Sequence, residues 1–508
     1  MPRLPLRDYL IEEYTRTVCP ECLKTARPAE PELFIDGMLV SRDGKVWLRR
    51  FCPHHGESES LYEEDHEVWK ARNGWGTPTS TVTPDRAHNF QSFPMGYTQG
   101  LPASHGQHTC VLVLNLTERC NYACPTCYAS ALPPGSRVAD PERPQLQEIL
   151  HTVKTVIARE GGQLGVCMLS GGEPTVRKDL VPLIDELCKL QITRVMINTN
   201  GRRLAKDDEL IEQLRVRRQH LEVYLQMDGT RPEDFLALRG EDVWAEKKLA
   251  LDRLEEAGIF TTLTMTVDRG VNEDRVGEVL MLGLNRPHCA GLAIQPVFGS
   301  GRRPDFDDRD RVTPTGVLRR LEAQTKGLVS WRDFIPLPCS HKDCCDITYL
   351  LKGSDEKWRS LPTLLGRDRL KDWLHLIANS ITFIDLKAPL QDMLQSGALQ
   401  RVFSEQLKVG ALQLAQDIFR ICGCAPELSG LLGALWGKAQ KDTNPMERLA
   451  ERTFRVTVKM FMDRHTFHEA RIRQCCVHTG TFESDPRRYS FCWRWLFEDA
   501  RDLVEISL

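Results

Sequence analysis

Three cysteines, Cys120, Cys124 and Cys127, stand in the run LNLTERCNYACPTCYAS with the spacing C-x3-C-x2-C. Three thiolates at that spacing on one loop suit three corners of a cubane iron–sulfur cluster, whose usual ligands are thiolates. The fourth iron then lacks a protein ligand and is open to a small molecule. Tyr128 directly follows and is an aromatic placed to cover the cluster. Roughly one strand–helix unit later comes Ser170-Gly171-Gly172-Glu173-Pro174. Its two glycines let backbone approach a ligand closely, and the Glu173 carboxylate can accept hydrogen bonds from an ammonium group.

A second cysteine pattern opens the chain. Cys19-Pro-Glu-Cys22 and Cys52-Pro-His54-His55-Gly56 flank a stretch that reads as short strands around turns at Asp36-Gly37 and Asp43-Gly44. Two such knuckles on hairpins build a zinc-ribbon or rubredoxin-like site with ligands Cys19, Cys22, Cys52 and a histidine. C-x2-H spacing favours His55, with His54 the alternative. Zn²⁺ and mononuclear iron both accept a Cys3His tetrahedron.

The late cysteines form a third group. Cys339, Cys344 and Cys345 lie in PCSHKDCC, Cys475 and Cys476 in QCCVHTG, and Cys492 in the aromatic run YSFCWRW. These six point to an auxiliary [4Fe–4S] cluster, and to two clusters if Cys289, Cys422 or Cys424 complete the set. Cys422-Gly-Cys424 reads equally well as a helix end with a glycine terminator. Cys167 and Cys188 sit inside apolar patterns and read as plain core.

Elements of alternating type must position these groups. Strand-like runs at 111–116, 166–169, 194–197, 221–226, 260–266 and 292–297 alternate with helical stretches such as 179–190 and 241–257. Six βα units imply a parallel sheet with right-handed crossovers. Sites on such sheets lie at the C-terminal strand ends. Asn198 and Asn200 end the third strand, Asp228 follows the fourth, Thr264 and Thr266 belong to the fifth, and Gln295 ends the sixth. The expected division is a metal module over 1–60, a linker over 61–108, the barrel over 109–300 and a mainly helical domain over 301–508.

Length and composition bound the remaining classes. The 508 residues exceed one ordinary core, 41% are hydrophobic, 27% are charged, and the net charge is −3. No global basic field argues for nucleic acid. There is no apolar run of the roughly 18 residues that a membrane helix needs, and the start MPRLPLRDYLIEEY lacks a signal-peptide core. The expected location is cytoplasmic, which makes a framework built from the eighteen cysteines more plausibly metal-binding than disulfide-bonded.

Cys120-x3-Cys124-x2-Cys127 followed by the GGEP turn resembles the signature of the radical S-adenosylmethionine (radical SAM) superfamily. That resemblance implies a partial (β/α)6 TIM barrel with a [4Fe–4S] cluster on Cys120, Cys124 and Cys127 and SAM chelated by the open iron. It implies SAM contacts from Tyr128, Gly171, Gly172, Glu173, Pro174, Asn198, Asn200, Asp228 and Gln295. The chemistry implied is one-electron cleavage of SAM to a 5′-deoxyadenosyl radical that abstracts hydrogen from unactivated carbon, the protein orienting substrate and excluding water. A flavodoxin- or ferredoxin-type electron donor goes with it.

The wider layout is CPEC…CPHHG, LNLTERCNYACPTCYA, SGGEPT, INTNG, LQMDG, PCSHKDCC and QCCVHTG…FCW. It resembles the archaeal tetraether lipid synthase group, also described as dihydropterin methyltransferase-like. The first reading is therefore C–C coupling of lipid chains, with peripheral membrane contact. Apolar stretches at 373–384, 398–402 and 428–436 read as ordinary core or as walls of a lipid tunnel, and basic clusters at 215–218, 302–303 and 471–473 as solvated helix faces or as sites for head groups. The alternatives are a radical SAM methyltransferase acting on a pterin or another small molecule, and a non-catalytic electron-transfer or scaffold protein.

Overall fold

The computed structural model describes residues 8–24, 31–75, 82–140, 143–303, 306–353, 355–365, 367 and 452–498. The N-terminal module is an antiparallel sheet of β1 (Leu10–Val18), β2 (Phe34–Arg42), β3 (Lys45–Cys52) and β4 (Gly56–Glu63), in that order. Asp43 and Gly44 turn β2 into β3 with φ of 52° and 72°. Positive φ at both central residues is the turn geometry that matches strand twist. Asp36-Gly37, expected as another turn, lies inside β2. Gly37 pairs with Thr15 and Arg50, and a Cβ there would stand 2.8 Å from Thr17 Cγ2. Its glycine is needed for packing and not for a bend.

After helix α1 (His66–Lys70), the barrel begins. Strands β5 (Val111–Asn115), β6 (Leu164–Ser170), β7 (Ile192–Thr199), β8 (Leu221–Gln226), β9 (Thr261–Val267) and β10 (Cys289–Pro296) pair in parallel in chain order. Between them run α2 (Leu146–Arg159), α3 (Leu180–Leu187), α4 (Asp208–Val216), α5 (Pro232–Arg239), α6 (Trp244–Glu256) and α7 (Val276–Leu284). Leu169, Ile197, Leu225, Leu263 and Ile294 are buried in one core with helix residues such as Leu183 and Leu280. Val166, Met196, Tyr224 and Ala293 form a separate cluster on the other face. Side chains alternate along a strand, so Ser170, Asn198, Gln226, Thr266 and Gln295 share that inner face at its C-terminal rim.

From 301 onward the structure departs from the expected helical domain. Helix α8 (Pro314–Gln324) is present, but six strands dominate the described part. They are β11 (Ile335–Pro336), β12 (Cys345–Lys352), β13 (Trp358–Ser360), β14 (Thr453–Lys459), β15 (Val477–Gly480) and β16 (Arg488–Ser490). All six join the barrel sheet. β14 lies parallel to β10 and β15 parallel to β5, so C-terminal strands cover both edges of the six-stranded core. CDITYLLK and TFRVTVK are buried on both faces over most of their length. Strands buried on both faces lose the period-2 signal that would have announced them.

Residues 82–108, read from sequence as linker, pack as a layer. Val82, Phe93, Tyr97 and Leu101 join a core with Phe467, Tyr489 and Trp493. Buried Asp85 holds Arg488 Nε at 2.9 Å and Arg159 Nη1 at 3.1 Å. Among the described residues no helix is long and apolar enough to cross a membrane. Cys422, Cys424 and the three apolar stretches proposed for a tunnel lie outside the described residues.

Candidate active site and metal centres

In the ribbon, the strands deliver four ligands to one point. Cys19 follows β1, Cys52 ends β3, and His55 lies in the turn closed by Gly56 at φ 72°. His55 Nδ1 stands 3.5 Å from Cys19 Sγ, 3.3 Å from Cys22 Sγ and 3.6 Å from Cys52 Sγ, and Cys22 and Cys52 sulfurs are 3.6 Å apart. Ligand atoms of a tetrahedral Zn²⁺ stand about 3.5–3.8 Å apart, given bonds of about 2.0–2.3 Å. The fit selects His55 over His54. Burial and the neighbouring Cys52 and Cys19 thiols push the Cys22 thiol up to about 12. For Cys52, burial acts upward, but the backbone N–H groups of His54 and His55 bring it down to about 6. Three thiolates repel one another, and a bound cation removes that repulsion.

The second centre sits beyond β5, on the loop that carries Cys120, Cys124 and Cys127. Each sulfur faces a donor. Tyr122 N reaches Cys120 Sγ at 3.4 Å and Ala131 N reaches Cys127 Sγ at 3.4 Å, while the Arg239 side chain donates to Cys124. N–H donors suit thiolates that bind iron. Among the described residues these three sulfurs are not gathered within 4.8 Å of one another as those of the ribbon are. Wider spacing fits ligands of three different irons, so the residues present fit a cubane.

The GGEP turn is clamped to this loop. Gly172 N donates to Thr117 O at 2.6 Å, and Glu173 N to Arg119 O at 2.9 Å. Gly171 has φ 121°, and a Cβ on it would lie 2.4 Å from Thr117 O; at Gly172 it would lie 2.3 Å from Arg119 O. These glycines admit the cysteine loop's own backbone, a closer constraint than approach of a ligand. Pro174 begins a short 3-10 turn for which Glu173 is the cap. Buried Glu173 accepts at Oε1 from Thr175 N (3.1 Å), Thr175 Oγ1 (2.6 Å) and Thr199 Oγ1 (2.7 Å), and at Oε2 from Asn200 N (2.8 Å). Oε2 retains acceptor capacity for a ligand ammonium.

The remaining expected residues take different positions. Asn198 donates to Ser170 Oγ at 3.1 Å on the inner face. Asn200 donates to Asn121 Oδ1 at 2.7 Å and stands 3.8 Å from Cys120 Sγ, so it braces the cysteine loop. Gln295 is half-buried beside Thr266 in register on β10. Tyr128 packs among Phe298, Phe491 and Trp495, at ring separations of 5.7, 6.0 and 5.1 Å. Asp228 is fully buried and grips Arg239 with both oxygens, at 2.6 and 2.7 Å. Its carboxylate is therefore engaged within the protein.

Two charged residues here escaped the sequence reading. Arg239 ends α5 and links Asp228 to Cys124. Lys247 is fully buried in α6 and donates to Asn200 O and to Gln226 Oε1 (3.5 Å), with its ammonium 5.1 Å from the Tyr122 ring. Burial pushes it down to about 8, against the pull of Asp228. Its signal was faint but present: Lys247 lies on the helix stripe shared with Trp244, Leu251 and Leu254.

The late cysteines divide. Cys339 and Cys476 meet Cys110, which stands just before the first strand-like run at 111–116, with all three sulfurs within 4.8 Å. Cys344, Cys345, Cys475 and Cys492 are outside that group. Cys344 accepts from Arg471 Nε at 3.4 Å, Cys492 accepts from Met462 N at 3.3 Å, Cys475 contacts Val477 O, and Cys345 contacts Asp346 O. Cys289 is buried in β10 with its sulfur toward Gly291 O. Another close group, Glu13, His341 and His468, lies at the seam between ribbon and sheet. Glu13 accepts from His468 Nε2 at 3.1 Å and faces Lys342 Nζ at 3.3 Å. His341 Nδ1 accepts the Asp343 N–H at 3.2 Å, so its proton is on Nε2 and the group is a polar latch.

The basic clusters are internally engaged. Arg215 pairs with Glu212, Arg217 with Asp185, Arg303 with Asp268 and Arg473 with Glu469, while Arg302 donates to Cys124 O at 2.9 Å and Arg471 to Met460 O.

Two family models match the chain. One, described as the radical SAM superfamily, matches residues 114–282, and one described as the HMPTM N-terminal zinc ribbon domain matches residues 11–64. A 7,8-dihydro-6-hydroxymethylpterin dimethyltransferase of Methanocaldococcus jannaschii is 25% identical over 509 residues, covering 95% of this chain and 93% of that protein. A GTP 3′,8-cyclase of Haemophilus influenzae is 27% identical over 177 residues, 34% of this chain and 46% of that protein. A crystal structure of Streptococcus suis SuiB bound to S-adenosylmethionine aligns at TM-score 0.36 and 14% identity, over 44% of this chain and 48% of that one. The matched segment 114–282 contains the three-cysteine loop, the GGEP turn and the strand ends that surround them, and 11–64 contains the Cys3His site. The chain is a radical SAM enzyme with an N-terminal zinc ribbon.

Proposed function

We propose that the enzyme is a radical SAM methyltransferase acting on a pterin or a similar small heterocycle. One observation carries this reading: similarity to a 7,8-dihydro-6-hydroxymethylpterin dimethyltransferase that extends over 95% of the chain. The lipid-coupling alternative has less support. The basic clusters it would use for head groups are engaged by internal partners.

The cluster and SAM, when bound, supply the carbon radical. The chain's own residues do the rest. Cys120, Cys124 and Cys127 would hold the cluster, Glu173 Oε2 would accept from the SAM ammonium, and Asn200 keeps the cysteine loop against the third strand end. Tyr128, Phe298, Phe491 and Trp495 close an aromatic wall beside that loop and exclude water. The inner rim of Asn198, Gln226, Thr266 and Gln295 offers hydrogen-bonding groups to a heterocycle. Cys344 and Cys492 lie beside Arg471 and Cys475 lies near both of them, which makes these three available to an auxiliary cluster.

Anaerobic enzyme, SAM, a strong reductant and 7,8-dihydro-6-hydroxymethylpterin test this reading. Mass spectrometry should find 5′-deoxyadenosine together with a pterin heavier by methyl groups. Turnover of SAM with unmodified pterin, and coupled chains in the lipids of an expressing strain, would replace it with the lipid reading.

A further inference from the structure

Tyr224 of β8 and Lys459 of β14 both belong to the inner face of the barrel sheet. Tyr224 is part of the cluster on that face, and Lys459 stands two residues beyond Thr457, which pairs with inward Ala293. Their strands are not neighbours, because β9 and β10 lie between them. Yet Lys459 Nζ donates to Tyr224 Oη at 3.3 Å, so the pair meets across the hollow of the curved sheet. Gly291 and Ala293, the residues of β10 beneath that reach, are small.

The charges of this face do not balance. Glu222 is its only carboxylate among the described strand residues. Its Oε1 already accepts from Arg455 Nη2 at 3.1 Å and from Thr262 Oγ1 at 2.6 Å. Among the described residues Lys459 has no carboxylate beside it; its neighbours are Tyr224, Cys345 and Arg455. An ammonium drawn inside a protein without a counter-ion is costly, and pairing with an anion removes that cost.

The polar groups gathered here offer protons. The Lys459 ammonium has two further N–H groups, and Tyr224 Oη accepts from it, which leaves the phenol's own O–H to donate. Thr264 pairs in register with Gln226 on one side and Ala293 on the other. It is buried, and its Oγ1 has no hydrogen-bond partner. Gln226, Thr266 and Gln295 of the rim stand two positions beyond Tyr224, Thr264 and Ala293 on the same strands. Three donors from three strands match the three terminal oxygens of a phosphate monoester.

We propose that Lys459, Tyr224 and Thr264 form an oxyanion subsite below the rim, and that the substrate is a phosphate ester. The ester would sit on a hydroxymethyl arm of the heterocycle, the group through which a phosphate attaches. This assignment rests on the heterocycle reading above and adds the charge of the substrate to it.

Equilibrium dialysis tests it on the full chain purified without oxygen, in the presence of SAM. The probes are 7,8-dihydro-6-hydroxymethylpterin, its phosphate ester and inorganic phosphate. Wild type should bind the ester at least about tenfold tighter than the alcohol, the worth of hydrogen bonds to a charged group. K459M should lose that preference and bind the alcohol as wild type does, with iron and sulfide content unchanged. Y224F, which retains the ammonium, should lose about threefold of it, the worth of one neutral donor. Equal binding of ester and alcohol by wild type overturns the proposal, even if K459M proves insoluble. So does a K459M or a Y224F that keeps the full preference, or a K459M that loses iron, since the ammonium would then serve a cluster. If neither pterin binds wild type, the heterocycle reading fails and inorganic phosphate decides the subsite alone. Phosphate binding that K459M loses upholds it; binding that is absent, or unchanged in K459M, overturns it.

Discussion

Asp228 grips Arg239 through both carboxylate oxygens, at 2.6 and 2.7 Å, and so aims its guanidinium at the sulfur of Cys124. A charged donor is thereby built against one thiolate of the triplet, supported from behind by a fully buried partner. Hydrogen bonds to cluster sulfurs raise the reduction potential and ease electron entry.

Removing that donor should be legible in the cluster itself. R239Q is expected to shift the cluster potential to more negative values and to slow 5′-deoxyadenosine formation about tenfold, since a hydrogen bond to a charged group is worth about 1.5 kcal/mol. Redox titration followed by electron paramagnetic resonance checks the first effect. An unchanged potential would reduce the Arg239–Cys124 contact to packing.

Breaking the pair from the other side tests its energetics. D228N leaves a buried guanidinium without its anion and should cost about 3 kcal/mol, whereas D228N combined with R239M should recover most of that loss. Urea denaturation of D228N, R239M, the double variant and the wild type gives the answer. Additive losses would mean the two side chains act independently.

Glu173 is the best-placed acceptor for SAM. E173Q should weaken SAM binding about tenfold or more, because a charge-assisted bond becomes a neutral one. T199V, which removes one of the hydrogen bonds holding Glu173, should weaken it less. Equilibrium dialysis with SAM separates the two. Equal affinity in E173Q and wild type would show that the carboxylate only orders the GGEP turn.

Cys124→Ala should abolish 5′-deoxyadenosine formation and leave the ribbon ion in place. Metal analysis together with product chromatography reads both outcomes in one preparation. Persistent cleavage of SAM would mean that the triplet is not the initiating site.

At the seam, the His468 hydrogen bond holds the Glu13 carboxyl down to about 2, with burial acting against it and Lys342 helping. A carboxylate depressed in the folded state adds stability above its unfolded value near 4.5 and loses it as pH falls toward 2. Lowering the pH from 5 to 3 should therefore narrow the stability gap between wild type and E13Q. A gap that stays constant would mean Glu13 is not ionised against His468.

Much of this enzyme is written in short windows. C-x3-C-x2-C, the GGEP turn, the ribbon knuckles and the six central strands each depend on neighbours within a few residues, where spacing and period speak directly. Convergence across hundreds of residues does not. Cys110 joins Cys339 and Cys476 only because β15 pairs beside β5, and Arg239 meets Cys124 only because the end of α5 docks on the cysteine loop. His55 is preferred to His54 because the β3–β4 turn sets its ring against the three cysteine sulfurs. The strands after 301 stayed hidden because both of their faces are buried, which erases the alternation that marks a half-exposed strand. Residue types and spacing thus named the chemistry. Sheet order and burial decided which residues stand together to carry it out.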